Sequence, residues 1–296
     1  MNKNKNLVSI VVNCFNGEKF LYQALNSIVK QTYKNWELIF CDNQSKDNSK
    51  KIFQSFKNNK FKYFKTKKFL SLYAARNFAI SKSKGEFLSF LDVDDLWDKK
   101  KLEKQIKLFK DPRVAVVYGN LIIQKNKKKK IYINNIIKEG YIYRDLIKNY
   151  NIGIVTAVIR KKILLKEKIL FNNRYNIIGD YDLFLKIAKK YVFKAVQNPV
   201  ATYRIHNSNL SFLKRRTQVD EFKHWYNNHQ QKLNISDKDI IKKKITNLEF
   251  TTIKFEKKFI KLIIFFLFNI KNLISFKNII ILITPISLLN RIMWFA

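Results

Sequence analysis

Two hydrophobic periods alternate along the first hundred positions. Short β-branched or aromatic runs bounded by turn formers predict buried strands: Val8 to Val12 ahead of Asn16-Gly17, Trp36 to Cys41 ahead of Asp42, Phe61 to Phe64, and Phe87 to Leu91, which runs into Asp92-Val93-Asp94-Asp95. Between them the spacing turns helical. Phe20, Leu21, Ala24, Leu25 and Ile28 mark a helix over Glu18 to Gln31, Asp47-Asn48 precede one over Ser49 to Phe56, and a third covers Tyr73 to Lys82 before Gly85. Strands alternating with helices predict an α/β fold: a mostly parallel mixed sheet flanked by helices, with ligands held beyond the C-terminal strand ends. Asn13, Asp42 and Asp92 to Asp95 fall at such ends.

The second half is less regular. It predicts a helix over Lys99 to Phe109, a strand near Val114 to Tyr118, and a hairpin around Lys127 to Lys130. An apolar segment at Ile152 to Ile159, a helix over Asp180 to Lys190 and a strand at Phe193 to Val196 follow. Beyond about residue 215 the pattern becomes helical and lysine-rich. The expected division is a catalytic domain over 1–215 and a basic, amphipathic helical C-terminal region over 216–296.

Composition narrows the chemistry. Among 296 residues, 59 Lys+Arg against 22 Asp+Glu give a formal charge of +37, which asks for an anionic partner: nucleotide, nucleic acid or acidic lipid headgroup. The lysines are strewn through nearly every segment, whereas a nucleic-acid-binding protein, the competing reading, predicts a basic face with interleaved aromatics. Cys14 and Cys41 are the only cysteines and offer neither a CxxC pair nor a disulfide framework, so a reduced, cytoplasmic compartment is expected. The apolar stretch after the basic N-terminus is shorter than the core of an export signal. The six glycines satisfy none of GxGxxG, GxxxxGK[ST] and GxSxG, and the three histidines form no HExxH. Phosphate, if bound, must meet a metal or basic side chains.

Against so few acids, three aspartates within positions 92 to 95 stand out. Carboxylates crowded at a strand end repel unless a cation or donors offset them, and Mg²⁺ or Mn²⁺ with shared phosphate ligands is one answer. A plainer alternative makes Asp94 or Asp95 the cap of a helix beginning at Leu96. Asp180 divides the same way between a catalytic carboxylate and the N-cap of its helix.

Four segments in order, Val8-Ser-Ile-Val-Val-Asn-Cys-Phe-Asn-Gly17, Trp36-Glu-Leu-Ile-Phe-Cys-Asp-Asn-Gln-Ser-Lys-Asp-Asn48, Ala74-Ala-Arg-Asn77 and Gly85-Glu-Phe-Leu-Ser-Phe-Leu-Asp-Val-Asp-Asp95, resemble the family 2 glycosyltransferases of the GT-A fold, of the bacterial cell-surface polysaccharide or lipopolysaccharide type. The resemblance implies an inverting transfer from a nucleotide-diphosphate sugar, a UDP-sugar foremost, to a hydroxyl of a glycan or lipid-linked acceptor. It implies that Asn13, Phe15, Asp42 and Asn43 hold the nucleoside, although Asp42-Asn43-Gln44 departs from the usual Asp-Asp-Gly, and Asp42 also suits an Asx-turn. Arg76 would meet the diphosphate, and Asp92, Asp94 and Asp95, with His206 from Tyr203-Arg204-Ile205-His206, would hold Mn²⁺ or Mg²⁺. Asp180 would be the base, with Gly179 standing where the family mostly has glutamate. Trp97, Asp182 and Arg204 would support the acceptor side, with a core role the alternative for Trp97. An inactive GT-A scaffold is disfavoured by the intact DxD and Asp180.

The tail, residues 254–296, sets seven basic residues, among them Lys254, Lys257, Lys258 and Lys261, against Glu256. On one continuous helix those four lysines gather on a single side, beside a broad apolar face over Phe259 to Ile274. The apolar runs are shorter than the roughly 20 residues of a membrane span, and Pro285 breaks the second. This predicts an in-plane helix on an anionic membrane surface at the cytoplasmic face; helices packed on protein are the alternative. Oligomeric state is not readable from the sequence.

Overall fold

The computed structural model describes residues 5–273 together with 278, 281, 282, 284 and 285. The chain forms two compact units, 1–209 and 210–296, a division slightly earlier than the expected 215/216.

The first unit opens with β1 (Val8–Cys14), α1 (Glu18–Val29), β2 (Trp36–Asp42), α2 (Ser49–Ser55), β3 (Phe61–Lys65), α3 (Leu72–Lys82) and β4 (Phe87–Phe90). It continues through β5 (Leu96–Trp97), α4 (Lys101–Ile106), β6 (Val114–Lys125), β7 (Lys128–Ile131), α5 (Tyr143–Lys148), β8 (Val158–Arg160), α6 (Lys161–Lys166), α7 (Gly179–Ala188) and β9 (Val192–Ile205). Among the described residues nine strands form one sheet in the order β3-β2-β1-β4-β8-β6-β9-β5, with β7 attached to β6. Strands β3, β2, β1 and β4 run parallel, while β8 enters antiparallel between β4 and β6, and β6 and β9 are again parallel. The two halves together make one mixed sheet, mostly parallel as the sequence pattern predicts.

Local sequence accounts for these elements. β1 and β2 are apolar on both faces because helices cover both sides of a parallel sheet, and α1 buries Leu21, Ala24, Leu25 and Ile28, one stripe at i, i+3, i+4 and i+7. Between β1 and α1, Asn16 takes a left-handed φ of 51°. A Cβ on Gly17 would sit 2.9 Å from Cys14 Sγ and 3.2 Å from Val93 Cγ2, so glycine there lets the first turn press against the Asp92–Asp95 loop. Asn48 holds the N-cap position of α2 without a side-chain bond to the helix, while the Asp47 carboxylate before it ties α2 to α1, accepting from Ser49 N at 3.0 Å and Glu18 N at 2.9 Å.

Three expectations change. The helix expected over Lys99 to Phe109 starts at Lys101, and its alternative start at Leu96 is not formed because Leu96-Trp97 pair antiparallel with Ala201-Thr202 of β9; neither Asp94 nor Asp95 is its cap. Trp97 is buried, donates from Nε1 to Val155 O at 3.0 Å and carries the fully buried Lys101 ammonium 4.2 Å above its ring. It belongs to the core and does not line an acceptor site. The strand at Phe193 to Val196 runs on to Ile205: Gln197-Asn198-Pro199 reads as a break, yet an irregularity opposite Gly119-Asn120 absorbs it and the pairing resumes.

The second unit comprises α8 (Leu210–Leu213), α9 (Arg215–His229), α10 (Ile235–Phe255), α11 (Phe259–Phe268) and α12 (Ile270–Leu273), with Phe250, Ile253, Leu262 and Leu273 in its core. Asn234 caps α10, accepting from Asp237 N at 2.8 Å. The single lysine-bearing helix expected through 254–274 is not formed. α10 ends at Phe255, Lys257 takes φ 59°, and Lys254 is buried with Nζ donating to Leu282 O at 3.1 Å. What α11 does present is an exposed stripe of Ile260, Ile263, Ile264, Leu267 and Phe268. Among the described residues no helix is long and apolar enough to cross a membrane.

Candidate active site

The strand ends converge on the Asp92–Asp95 loop. Asp95 N donates to Asp92 O at 3.0 Å, closing a turn directly after β4. The β5–β9 pairing then draws the segment after Thr202 against it. His206 Nε2 lies 2.8 Å from Asp94 Oδ2, with Nδ1 2.9 Å from Ser208 Oγ. Asn209 Nδ2 also reaches Asp94 Oδ2, at 3.3 Å. Arg204 donates from Nε to Asp94 O and from a terminal nitrogen to Gln23 Oε1, and stacks on Phe20 at 4.7 Å. Arg204 therefore straps the loop to α1.

Asp95 is buried, its Oδ1 accepting from Arg204 N at 3.0 Å. Burial, then the charges of Asp94 and Asp92, hold its carboxyl well above the usual range. The structure corrects its expected metal role: Asp95 faces inward and positions the β9 end. Burial and Asp92 also raise Asp94, while His206 opposes.

Arg76 joins this loop to the proposed base. It is 3% exposed on α3, donates from a terminal nitrogen to Asp92 Oδ1 at 2.7 Å, and lies 5.4 Å from the Tyr73 ring centre and 5.7 Å from that of Phe171. So shielded, it meets Asp92 here, the side chain it was expected to accompany at the diphosphate. Its charge also reaches Asp180, opposing the burial that pushes the Asp180 carboxyl up.

Asp180 is the second residue of α7 rather than its cap, since Ile178 occupies the cap position. Its Oδ1 accepts from Tyr181 N at 2.9 Å and lies 3.4 Å from Tyr73 Oη, which donates to Ile177 O at 2.9 Å. The Tyr150 ring meets Tyr181 edge to face at 5.2 Å, and its hydroxyl lies beside Asp180, where it opposes the upward push of burial on that carboxyl. A Cβ on Gly179 would fall 2.5 to 2.7 Å from the Tyr73 ring. Tyr73 thus occupies the room that a residue-179 side chain would need, which explains the missing glutamate. Asp182 is buried and accepts from Lys186 Nζ at 2.6 Å; it stabilises α7 and does not face an acceptor.

On the β1–β3 side, Phe15 and Phe69 are 50% and 59% exposed and meet edge to face at 4.8 Å. Asn13 has both amide atoms buried without a hydrogen bond among the described residues. Continuing the β1–β4 register beyond Val11 opposite Phe90 sets Asn13 level with Asp92. Asp42 is 2% exposed, accepting from Ser45 N at 2.8 Å and from Tyr63 Oη. Asn43 is buried and clamps Leu70, accepting from its N and donating to its O, both at 2.9 Å. Both were expected at the nucleoside, and the bonds they make here hold the turn and the loop that presents Phe69.

Phe69, Tyr73, Tyr150 and Asn209 escaped the sequence reading. Gly179 was the only local signal for Tyr73, and the other three carry none, since loop aromatics and amides are common.

Among the described residues no three His, Cys, Asp or Glu side chains converge as a closed metal cage. Asp92 and Asp94 are nevertheless partly exposed on one loop, each with one oxygen engaged by Arg76 or His206. Two hard carboxylates with open positions fit a divalent ion that completes its shell with substrate phosphates. His206 is better described as the partner of Asp94 than as a ligand.

Comparison with known proteins agrees with this geometry. The chain matches glycosyl transferase family 2 over residues 9–171. It is 32% identical over 207 residues to the UDP-Glc:alpha-D-GlcNAc-diphosphoundecaprenol beta-1,3-glucosyltransferase WfgD of Escherichia coli, covering 69% of this chain and 79% of that protein. S. aureus TarS 1-349 in complex with UDP-GlcNAc superposes with a TM-score of 0.60 at 18% identity, over 82% of this chain and 72% of TarS. The mannosyltransferase PcManGT from Pyrobaculum calidifontis in complex with GDP-Man and Mn2+ gives 0.60 at 16%, over 79% and 67%. The solved structures bear on the fold alone, whereas the sequence matches extend to kinship: this chain belongs to glycosyl transferase family 2 and is a glycosyltransferase of GT-A fold.

Proposed function

We propose that the enzyme transfers a sugar from a nucleoside-diphosphate sugar, a UDP-sugar foremost, to a hydroxyl of a lipid-linked or other cell-surface glycan, with inversion. The observation that carries this reading is the convergence of Arg76, Asp92 and Asp180, from three distant segments, around the Tyr73 ring. A loop aspartate pair able to hold a divalent ion for a diphosphate and a half-buried carboxylate are thereby held in one cluster. The UDP-Glc and diphosphoundecaprenol in the E. coli relative's name, and the UDP-GlcNAc in the TarS structure, support the donor and acceptor classes.

In this reading Asp180 accepts the proton of the attacking hydroxyl. A positioned base is worth roughly 10² to 10⁴ in rate, and one carboxylate acting opposite the leaving group gives inversion. Arg76 keeps Asp180 ionisable despite burial and holds Asp92 toward the diphosphate. Asp92 and Asp94 would hold Mg²⁺ or Mn²⁺, which when bound neutralises charge on the leaving diphosphate. Phe15 and Phe69 offer a face for the base and Asn13 an amide edge. Asp180→Asn should abolish transfer while retaining UDP-sugar binding; full transfer by that variant overturns the assignment. A thermal-shift screen with UDP-, GDP- and dTDP-sugars plus Mn²⁺, repeated in EDTA, tests donor and metal.

The α11 stripe, with Lys257, Lys258 and Lys261 nearby, supports peripheral binding to an anionic membrane at its cytoplasmic face. Co-sedimentation with phosphatidylglycerol vesicles should be salt-sensitive and lost in Ile263→Asp/Leu267→Asp; equal partition of both proteins refutes it.

A further inference from the structure

A cavity of about 400 Å³ lies wholly within the second unit. α9 lines it with Lys223, Tyr226 and Asn227, one helix face at i, i+3 and i+4. α10 adds Lys242, Thr246 and Glu249 at i, i+4 and i+7, and the chain from α11 into α12 adds Phe265, Asn269 and Asn272. The cavity and its ion pairs carry an excess of positive charge. Arg216, Lys223 and Lys258 surround Glu249 and Glu256 in one network, three cations to two anions, with Lys223 Nζ 2.5 Å from Glu249. Lys242 is a fourth cation, outside any ion pair among the described residues, with Nζ 5.9 Å from the Tyr226 ring centre. An ammonium beside an open cavity invites an anion, and Asn227 and Asn272 set amide donors on the same walls.

We propose that this cavity is a phospholipid headgroup site, taking the glycerophosphate of an anionic lipid. The inference rests on the reading of the α11 stripe as membrane-facing and adds what the protein recognises there. α11 carries both surfaces. Phe265 lines the cavity, and Phe268 and Ile264 of the exposed stripe lie about 60° and about 100° round the same helix, both to the same side. A lipid with its phosphate against Lys242 therefore finds apolar surface for its acyl chains on the adjoining face of α11, whereas a soluble phosphate ester gains nothing from that stripe. Size agrees: the volume is that of about a dozen waters, the scale of a glycerophosphate, with no room for the chains as well. The charge agrees too, since four cations against two carboxylates favour an anionic headgroup over a zwitterionic one.

The test titrates the full chain calorimetrically with three soluble probes: dihexanoyl phosphatidylglycerol below its micellar concentration, glycerol 3-phosphate, and dihexanoyl phosphatidylcholine. Phosphatidylglycerol should bind tightest. Lys242→Gln should weaken it by about three- to tenfold, and Lys242→Arg should restore it. Thr246→Trp, which fills the cavity, should weaken it by about tenfold or more. Ile263→Asn/Leu267→Asn, which leaves the charge unchanged, should bring phosphatidylglycerol down to the affinity of glycerol 3-phosphate and leave the latter as it was. Tm recorded for each variant separates lost binding from lost folding. Absence of phosphatidylglycerol binding, or binding indifferent to both Lys242→Gln and Thr246→Trp in folded protein, overturns the site. Equal affinity for phosphatidylcholine overturns the recognition of an anion, and glycerol 3-phosphate binding as tightly as the lipid assigns the cavity to a soluble phosphate ester instead. The stripe can fail separately: vesicle co-sedimentation indifferent to Ile263→Asp/Leu267→Asp refutes it as the membrane face, while binding of the soluble lipid that depends on Lys242 still supports the headgroup site.

Discussion

The contact between Gly179 and Tyr73 makes a quantitative prediction. In Gly179→Ala the new Cβ would lie 2.5 Å from Tyr73 Cε2, about 0.9 Å inside ordinary van der Waals contact. The ring cannot yield easily: it is buried, stacked on Phe171 at 5.2 Å and tied by its hydroxyl to Ile177 O. Overpacking of this kind costs about 1–3 kcal/mol, and alanine's better helix propensity offsets at most about 1 kcal/mol. With the full offset the net loss is up to about 2 kcal/mol, or up to about 8 °C in Tm at the scale of the first unit. Activity should suffer more than stability. The backbone at 179 carries Asp180, and a base misplaced by about 1 Å costs on the order of 10² in rate. Differential scanning calorimetry and initial rates would check both, and a Tyr73→Ala background supplies the control. If the clash is the cause, Gly179→Ala adds little once the ring is gone. Wild-type Tm and rate in the single variant, or an undiminished penalty in the Tyr73→Ala background, would refute the reasoning.

Other consequences follow from the same geometry. A base works only when deprotonated, and burial raises Asp180 above the ordinary aspartate value of about 3.9. The acid limb of the pH–rate profile should therefore lie above that value and move higher still in Arg76→Gln, which removes the charge opposing burial; an unmoved limb contradicts Arg76 as its positioning residue. Phe69→Ala should weaken UDP binding by about three- to tenfold in calorimetric titration and leave Tm unchanged, because Phe69 is exposed; unchanged affinity would remove it from the nucleoside slot. Lys101 is buried on Trp97 with Ser89 Oγ as hydrogen-bond partner at 2.8 Å, and burial lowers its pKa well below the usual value. A depressed lysine loses stability as pH falls from its unfolded pKa toward its folded one. Lys101→Met should thus raise Tm more near about pH 7 than near about pH 10, by about 2–8 °C at the lower pH; a larger gain at high pH reverses the sign and refutes it.

The expected elements of the first half were found in place because their signals are local. β1, β2, β3 and β4 are short apolar runs with turn formers at their ends, and α1 carries its apolar stripe in the sequence itself. The carboxylates to which we assign the chemistry were equally legible, since Asp92, Asp94 and Asp180 sit at strand or helix ends in an otherwise basic chain. The later strands were read less well. The two-residue β5 and the long, irregular β9 exist through their pairing with each other and with β6, and no local period encodes that.

Partner choice separates the two kinds of knowledge about this enzyme. Residue types and spacing marked the acidic loop, the family and the chain's lysine-rich character. Burial and long-range hydrogen bonds decided the partners: Arg76 meets Asp92, Asp95 the backbone of Arg204, Asp42 and Asn43 their own loops, and Trp97 the core. A side chain's identity sets what it can bond, but the neighbours that fill its valences come from distant segments, 181 residues apart for Arg204 and Gln23. Those neighbours, such as Tyr73 over Gly179 and His206 against Asp94, exist only once the sheet has closed.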